Sequence, residues 1–335
     1  MGVHGSHGRP FSRGPSVMKV LWTHNFDPRV LNSGCFMYTA AQGLSDVGVR
    51  VDLRYLGVLR RPDAILRAQR ELAVASKSYD LVHAQYGSAC AFATAGSRVP
   101  YLVSVRGSDW NRYPKLLHRY WLHTRLARML TRVAIRKCSG VIAVSRRIAR
   151  EIQAELRYAK VVVIPSPIDL DRWPLVSASD RLGRQKFRVM FASNSENNAL
   201  KRGALVSAAV RRAADGFANI ELVRATGIPH HSMPNLVSSC DAVVCASYME
   251  GWPNSVKEAL ACGLPFVSTD VSDLAEIAAR EPSCRIVRPE IEDIADGLRH
   301  ALQCGPSPEL RRHVSHLSLE NSTRALVAAY AEALG

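Results

Sequence analysis

The stretch Glu250-Gly-Trp-Pro-Asn-Ser-Val-Lys-Glu258, continued by Ala259-Leu-Ala-Cys-Gly-Leu-Pro265, decides how the chain is read. It follows directly on 241–246, a short apolar run of the kind a buried parallel strand shows. Pro253 suits the first turn of a helix, where its missing N–H would have had no partner anyway. Gly251 lets the backbone approach a ligand closely. The stretch therefore reads as strand, tight turn, helix, with the helix at 253–262. Glu250 stands at the C-terminal end of the strand, and Glu258 about one and a half turns into the helix. In an open α/β sheet that edge is where ligands bind. Free amides at the helix start can take phosphate oxygens, and the two carboxylates can accept from sugar or ribose hydroxyls. As two solvated carboxylates on a surface helix they would leave the intervening Gly251-Trp-Pro-Asn254 without a reason.

Working outward, the same alternation of strand and helix recurs on both sides. Before the motif, short runs rich in β-branched residues lie at 17–22, 50–53, 81–84, 101–105, 140–144 and 161–164, with helical patterns at 36–47, 87–97, 114–137 and 146–156. No element is assigned between 53 and 81. The pattern stops at Pro165-Ser166-Pro167, passes through a polar segment at 177–186, and restarts. Strands then follow at 188–192, 220–224, 242–246, 266–269 and 285–287. The helices of this second series are expected at 201–214, 233–239, 253–262, 273–279 and 291–303, with a terminal one inside 308–334. Strands alternating with helices make βαβ units and doubly wound sheets. Proline cannot serve a central strand, so 165–187 reads as the connection between two α/β domains. These are 18–168 and 169–335, and the terminal helix could pack back on the first. Residues 1–17, rich in Gly, His, Ser and Arg, are expected to be a disordered tail, with Met18 a candidate start.

Composition narrows the partners. Lys and Arg total 44 against 29 Asp and Glu, a net charge of +15, which favours anionic ligands: nucleotides, nucleic acid or acidic lipid. The aromatic-basic interleaving of common RNA-binding motifs is missing, so no nucleic-acid partner is expected. No run reaches the roughly 20 apolar residues of a membrane span. The eight cysteines show no C-x-x-C spacing, which fits reduced thiols in a cytoplasmic protein and no metal site.

The two-glutamate stretch resembles the motif of retaining GT-B glycosyltransferases of family 4, two Glu residues with seven between them and an Ala-x-Ala-x-Gly-x-Pro tail. Other segments are similar in the same order. Val163-Ile-Pro-Ser-Pro-Ile-Asp169 resembles the family's hinge, Gly140-Val-Ile-Ala-Val-Ser145 a strand end, and Arg106-Gly-Ser-Asp109 a His-Gly-Ser-Asp segment. Leu31-Asn-Ser-Gly34 stands where a Gly-rich loop is usual, and 227–236 resembles the segment near the base pocket. The resemblance spans 18 to about 280 and implies a GT-B fold, two Rossmann-like domains facing across a cleft. It implies transfer of a sugar, hexosyltransferase type, from a nucleoside-diphosphate sugar to a hydroxyl acceptor such as a glycan or lipid-linked species, without metal or other cofactor. Glu250 would contact the donor sugar and Glu258 the ribose. Gly251, Trp252, Asn254 and Ser255 would line the donor pocket. Lys201 would neutralise the diphosphate, chemistry that a departing anion requires in any case.

Two positions depart from the family. No Arg precedes Lys201 in Ser193-Asn-Ser-Glu-Asn-Asn-Ala-Leu-Lys201, so either Arg202 replaces that charge or the donor is held differently. Arg106 stands where the family often has His, on the acceptor side. Asp109 is then either a catalytic carboxylate beside the acceptor or a turn residue that caps the next segment. Gly34 could bring backbone amides to the diphosphate. His230 and His231 read as a polar turn. Two other readings share this sequence: a nucleotide-sugar epimerase, and a non-catalytic basic binding protein.

The helix at 114–137 carries an apolar stripe (Leu122, Leu126, Met129, Leu130, Val133) and a basic one (Arg125, Arg128, Arg132, Arg136). Such a helix can dock on an anionic membrane, which would place the protein at the inner face of the membrane. The alternative puts the apolar stripe in the core and the arginines in water.

Overall fold

The computed structural model describes residues 17–112, 118–181, 186–195 and 198–335. Most of the N-terminal tail, the first residues of the 114–137 pattern and part of the 177–186 segment lie outside the described residues.

The first series gives β1 (Lys19–His24), α1 (Cys35–Asp46), β2 (Arg50–Tyr55), α2 (Pro62–Ala75), β3 (Leu81–Ala84) and α3 (Ser88–Thr94). It continues with β4 (Tyr101–Val105), α4 (His118–Ile135), β5 (Gly140–Ala143), α5 (Arg146–Glu155) and β6 (Val161–Val163). These strands form one parallel sheet in the order β2-β1-β3-β4-β5-β6. The second series gives β7 (Lys186–Ala192), α6 (Gly203–Ala214), β8 (Asn219–Ala225), α7 (Met233–Ser238), β9 (Ala242–Cys245) and α8 (Asn254–Ala261). After it come β10 (Phe266–Ser268), α9 (Leu274–Ala278), β11 (Arg285–Ile286), α10 (Ile291–Cys304), α11 (Arg312–Ser315) and α12 (Leu319–Leu334). Its parallel sheet has the order β11-β10-β9-β7-β8. In both sheets the order reverses beside the first strand. That leaves a crevice at the strand ends, between loops that lead to opposite faces.

Helices cover both faces of each sheet. β3 and β4 are therefore buried along their whole length and mostly apolar, and their buried polar residues His83 and Ser104 bond to each other at 2.9 Å. α12 closes the N-terminal layer although it comes last in the chain. Leu326, Ala329 and Tyr330 share a core with Trp22, Met37 and Ile142. The Tyr330 hydroxyl accepts from Trp22 Nε1 at 2.8 Å and meets His83 Nδ1 at 2.9 Å.

Helix α2 has no counterpart in the sequence reading. It buries only Ala68 and Leu72 fully and leaves Leu66 and Val74 exposed. α4 has the opposite orientation from the core-facing alternative. Thr124, Ala127, Arg128, Thr131, Ala134 and Ile135 face inward, while Leu122, Leu126, Met129 and Val133 are exposed.

Candidate active site

β9 ends at Cys245, and the turn that follows carries Glu250 to the crevice before α8 begins at Asn254. Glu250 Oε1 accepts from Ser247 Oγ at 2.7 Å and is paired with Lys201 Nζ. Lys201 ends a short 3-10 turn capped by Asn198, whose Oδ1 accepts from Leu200 N at 3.0 Å. Burial works against the Lys201 charge, but Glu250 and Cys245 outweigh it and hold the ammonium above its ordinary range. Two of the proposed donor groups, 49 residues apart, thus touch. Arg202 does not join them. Its guanidinium lies 3.5 Å over the Tyr248 ring and donates to the Ala246 carbonyl at 3.1 Å.

Glu258 lies on the inner side of α8, only 8% exposed, in a small cavity with Phe36, Asp169, Arg172, Trp173, His230 and Asn254. Burial pushes its carboxyl upward, while Lys257 and Arg172 pull it back. His230, which the sequence left as a turn, stands 3.9 Å from Glu258 and edge-on to Trp173. Burial, then Arg172 and Lys257, lower its imidazole, so at neutral pH it is an uncharged hydrogen-bonding group. The cavity has room of about 30 Å³, enough for one or two waters. A nucleoside can enter it only when the domains part. Trp252 packs against the C-terminal core instead of lining this cavity, and Ser255 is not in its wall.

The N-terminal loops are pressed against this site. A Cβ on Gly251 would lie 1.8 Å from the Arg106 carbonyl oxygen, so glycine is what permits the contact. Gly34, at φ +72°, starts α1 with its neighbours Cys35 and Phe36 in the Glu258 cavity. Beside it Asn32 donates to the Ile228 carbonyl at 2.6 Å and accepts from His230 N at 2.9 Å. The sequence reading passed over Asn32, whose role depends on a loop almost two hundred residues away.

Asp109 and Arg106 need correction. Asp109 has no exposed surface, and its carboxylate accepts from the backbone N–H of Gly87, Arg106 and Gly107 at 2.7–3.1 Å. Burial raises its pKa against those bonds. It is a positioning residue that shapes the cleft loop, with no face left for substrate. The Arg106 guanidinium is likewise committed, to the Gln85 carbonyl (2.6 Å), Gln85 Oε1 (3.0 Å) and Ser166 Oγ (2.9 Å), and it stacks 3.9 Å from Phe36. Burial pushes it down to about 10, so it remains charged. Lys257 Nζ donates to the Ser166 carbonyl at 2.7 Å. The interdomain connection is thus held at one residue by a cation from each domain.

On the far side of Glu250 a larger cavity, about 360 Å³, opens between the domains. Glu250, Met249 and Ser272 wall it on one side, Asn111, Arg112 and Glu155 on the other. The N-terminal members were missed because no local spacing marks them; only the closed cleft brings them to Glu250.

Two family profiles match the chain in tandem. Glycosyltransferase Family 4 matches residues 20–172, and Glycosyl transferases group 1 matches residues 168–304. The teichuronic acid biosynthesis glycosyltransferase TuaC of Bacillus subtilis is 26% identical over 250 residues, 65% of this chain and 60% of TuaC. The D-inositol 3-phosphate glycosyltransferase of Mycobacterium tuberculosis is 32% identical over 124 residues, 33% of this chain and 26% of that enzyme. The chain therefore spans less than two thirds of either relative. Among solved structures, sucrose-phosphate synthase from Thermosynechococcus elongatus superposes with a TM-score of 0.67 at 15% identity, covering 95% of this chain and 96% of that one. Anabaena HepE in complex with UDP and glucose gives 0.61 at 17% identity, covering 94% and 99%. The fold of this chain is the GT-B architecture of those glycosyltransferases, and each half of its sequence is similar to a glycosyltransferase family profile.

Proposed function

We propose that the protein moves a sugar, with retention at the anomeric carbon, from a nucleoside-diphosphate sugar to a hydroxyl acceptor. One observation carries the reading: Glu250 and Glu258 leave the same turn and helix into two separate cavities, with the first turn of α8 between them. A donor laid across that turn would have its nucleoside beside Glu258, its diphosphate over the free amides and Lys201, and its sugar beside Glu250. Residues 18–168 would present the acceptor and 169–335 the donor. The acceptor oxygen bonds to the anomeric carbon on the face the diphosphate leaves. The bond to that diphosphate breaks with its electron pair, and the acceptor proton ends on the departing phosphate. Lys201 and the α8 amides supply the positive charge this needs, so we propose a reaction independent of metal. Closure keeps out water, which would otherwise take the sugar. The cavity beyond Glu250 gives an acceptor room, and this favours transfer over epimerisation of the donor alone.

We also place the protein in the cytoplasm, at the inner membrane face. No helix among the described residues is long and apolar enough to cross a membrane. α4, however, turns Leu122, Leu126 and Met129 outward beside Arg125 and Arg136. The test is turnover of a panel of nucleotide sugars, with and without a membrane glycolipid extract, in EDTA. Release of nucleoside diphosphate that requires the extract, with an unchanged anomeric configuration by NMR, is expected. Conversion of donor without acceptor, or activity restored only by Mg²⁺ or Mn²⁺, would contradict the reading.

A further inference from the structure

The cavity beside Glu250 adjoins a trough of about 890 Å³ over α4, and the two share Arg112 and Arg128 in their walls. Their characters differ. The cavity is mixed in charge, with Asn111, Glu151 and Asp270 in its wall beside Glu250. The trough is walled by Leu122, Leu126, Met129 and Val133 together with five arginines, and among the described residues it has no carboxylate in its wall. From Leu122 to Val133 the stripe runs about 16 Å along the helix, the reach of a long hydrocarbon chain.

At the junction three arginines converge on one carboxylate. Arg112 lies 2.6 Å and Arg132 3.4 Å from Glu155, and Arg128 pairs with it still more closely. Three guanidinium charges against one carboxylate leave two in surplus. The nearby Glu151 is engaged by Arg147 at 3.8 Å. Arg128 is fixed: it donates to the Trp110 carbonyl at 2.8 Å and lies 4.6 Å over the Trp110 ring. Arg112 and Arg132, at 73% and 42% exposed, can turn from Glu155 to an incoming anion. Paired guanidinium forks match the oxygens of a phosphate.

We propose that the acceptor is a phosphate-bearing lipid. Its hydroxyl-bearing head reaches Glu250, its phosphate is held by Arg112 and Arg132, and its hydrocarbon chain lies along the α4 stripe. The role of the head rests on the transferase reading; the binding of phosphate and chain does not.

Calorimetry below micelle-forming concentrations, with octyl phosphate, octyl glucoside and inorganic phosphate, tests this on the full chain. Octyl phosphate should bind about ten-fold or more tightly than either of the others, as expected for charge-assisted bonds added to apolar contact. Arg112→Gln with Arg132→Gln should remove that advantage and leave the weak glucoside binding unchanged. Leu126→Asn, at an exposed position, should weaken both octyl compounds and spare inorganic phosphate. Equal affinity for octyl phosphate and octyl glucoside would overturn the proposal, as would an unchanged octyl phosphate affinity in the arginine variant. Inorganic phosphate binding as well as octyl phosphate would mean an ion site rather than a lipid site, and would overturn it too. Nucleoside diphosphate binding, measured on the same samples, reports separately on the transferase reading.

Discussion

Lys201 and Glu250 neutralise each other across the donor side of the cleft. A bound diphosphate would draw Lys201 away from Glu250 and free that carboxylate to face the sugar. Lys201→Ala should therefore weaken a nucleoside diphosphate about ten- to hundred-fold, since charge-assisted bonds contribute roughly 1.5–3 kcal/mol, and should leave the bare nucleoside nearly unaffected. Calorimetry with both ligands checks this; equal losses would remove Lys201 from the diphosphate site. Gly251 makes a second prediction. With its missing Cβ 1.8 Å from the Arg106 carbonyl, Gly251→Ala must hold the domains apart. We expect kcat to fall about hundred-fold, the scale of a misplacement near 1 Å, with an unchanged circular dichroism spectrum. An unaltered kcat would show that this contact plays no part in closure. The positions of Glu250, Glu258 and Lys201 at the crevice were legible because one short motif and one lysine after a strand place them. The roles of Arg106, Arg202 and Asp109 were not, because a side chain's hydrogen-bond partners are allocated by distant segments. Gln85 and Ser166 take up Arg106, Ala246 and Tyr248 take up Arg202, and Gly87 helps to absorb Asp109.

Among the elements, α4 separates what a pattern tells from what packing decides. Its two stripes were visible in sequence, but which one faces the core was not. Small residues settle it: Ala127, Thr131 and Ala134 let α4 approach α3 closely, and Thr131 Oγ1 both donates to the Asp109 carbonyl at 3.0 Å and accepts from Ser88 N at 2.6 Å. The larger leucines are left outside. Arg128, counted with the basic stripe, turns inward to Glu155. Arg125 and Arg136 are exposed on the outer side of α4. Vesicles containing anionic lipid should sediment the protein at low salt and release it at high salt. Arg125→Glu with Arg136→Glu should abolish that binding while nucleotide binding persists. Sedimentation regardless of lipid charge would contradict membrane docking through α4. The strands were legible to within about two residues, most closely at the buried β3 and β4, whereas the edge strand β2 carries Arg50, Asp52 and Arg54 and was read two residues short. α2 escaped because it buries so little.

At the scale of the molecule, the two sheets were readable from the repeat of strand and helix; the closed cleft was not. Closure is held by contacts that no local pattern announces. Asp273 accepts from the backbone N–H of Arg146 and Arg147 at the start of α5, at 2.8 and 2.9 Å. Arg147 reaches Asp270 at 3.1 Å, and Glu276 pairs with Arg146 at 2.7 Å and Arg150 at 3.2 Å. Together with Asn32 and the Lys257–Ser166–Arg106 link, these bring the two carboxylates of one motif into two cavities. The central claim is that those cavities divide a nucleotide-sugar donor between them. Calorimetry with UDP, GDP, ADP and dTDP on the wild type, Glu258→Gln and Glu250→Gln, alongside turnover, tests it most directly. One or more nucleotides should bind the wild type. Glu258→Gln should weaken that binding about ten-fold, the loss of a carboxylate that accepts from ribose hydroxyls. Glu250→Gln should leave affinity nearly unchanged and lower kcat, as lost contact with the transition state. No binding by any of the four at millimolar concentration, or equal losses in the two variants, would contradict the account.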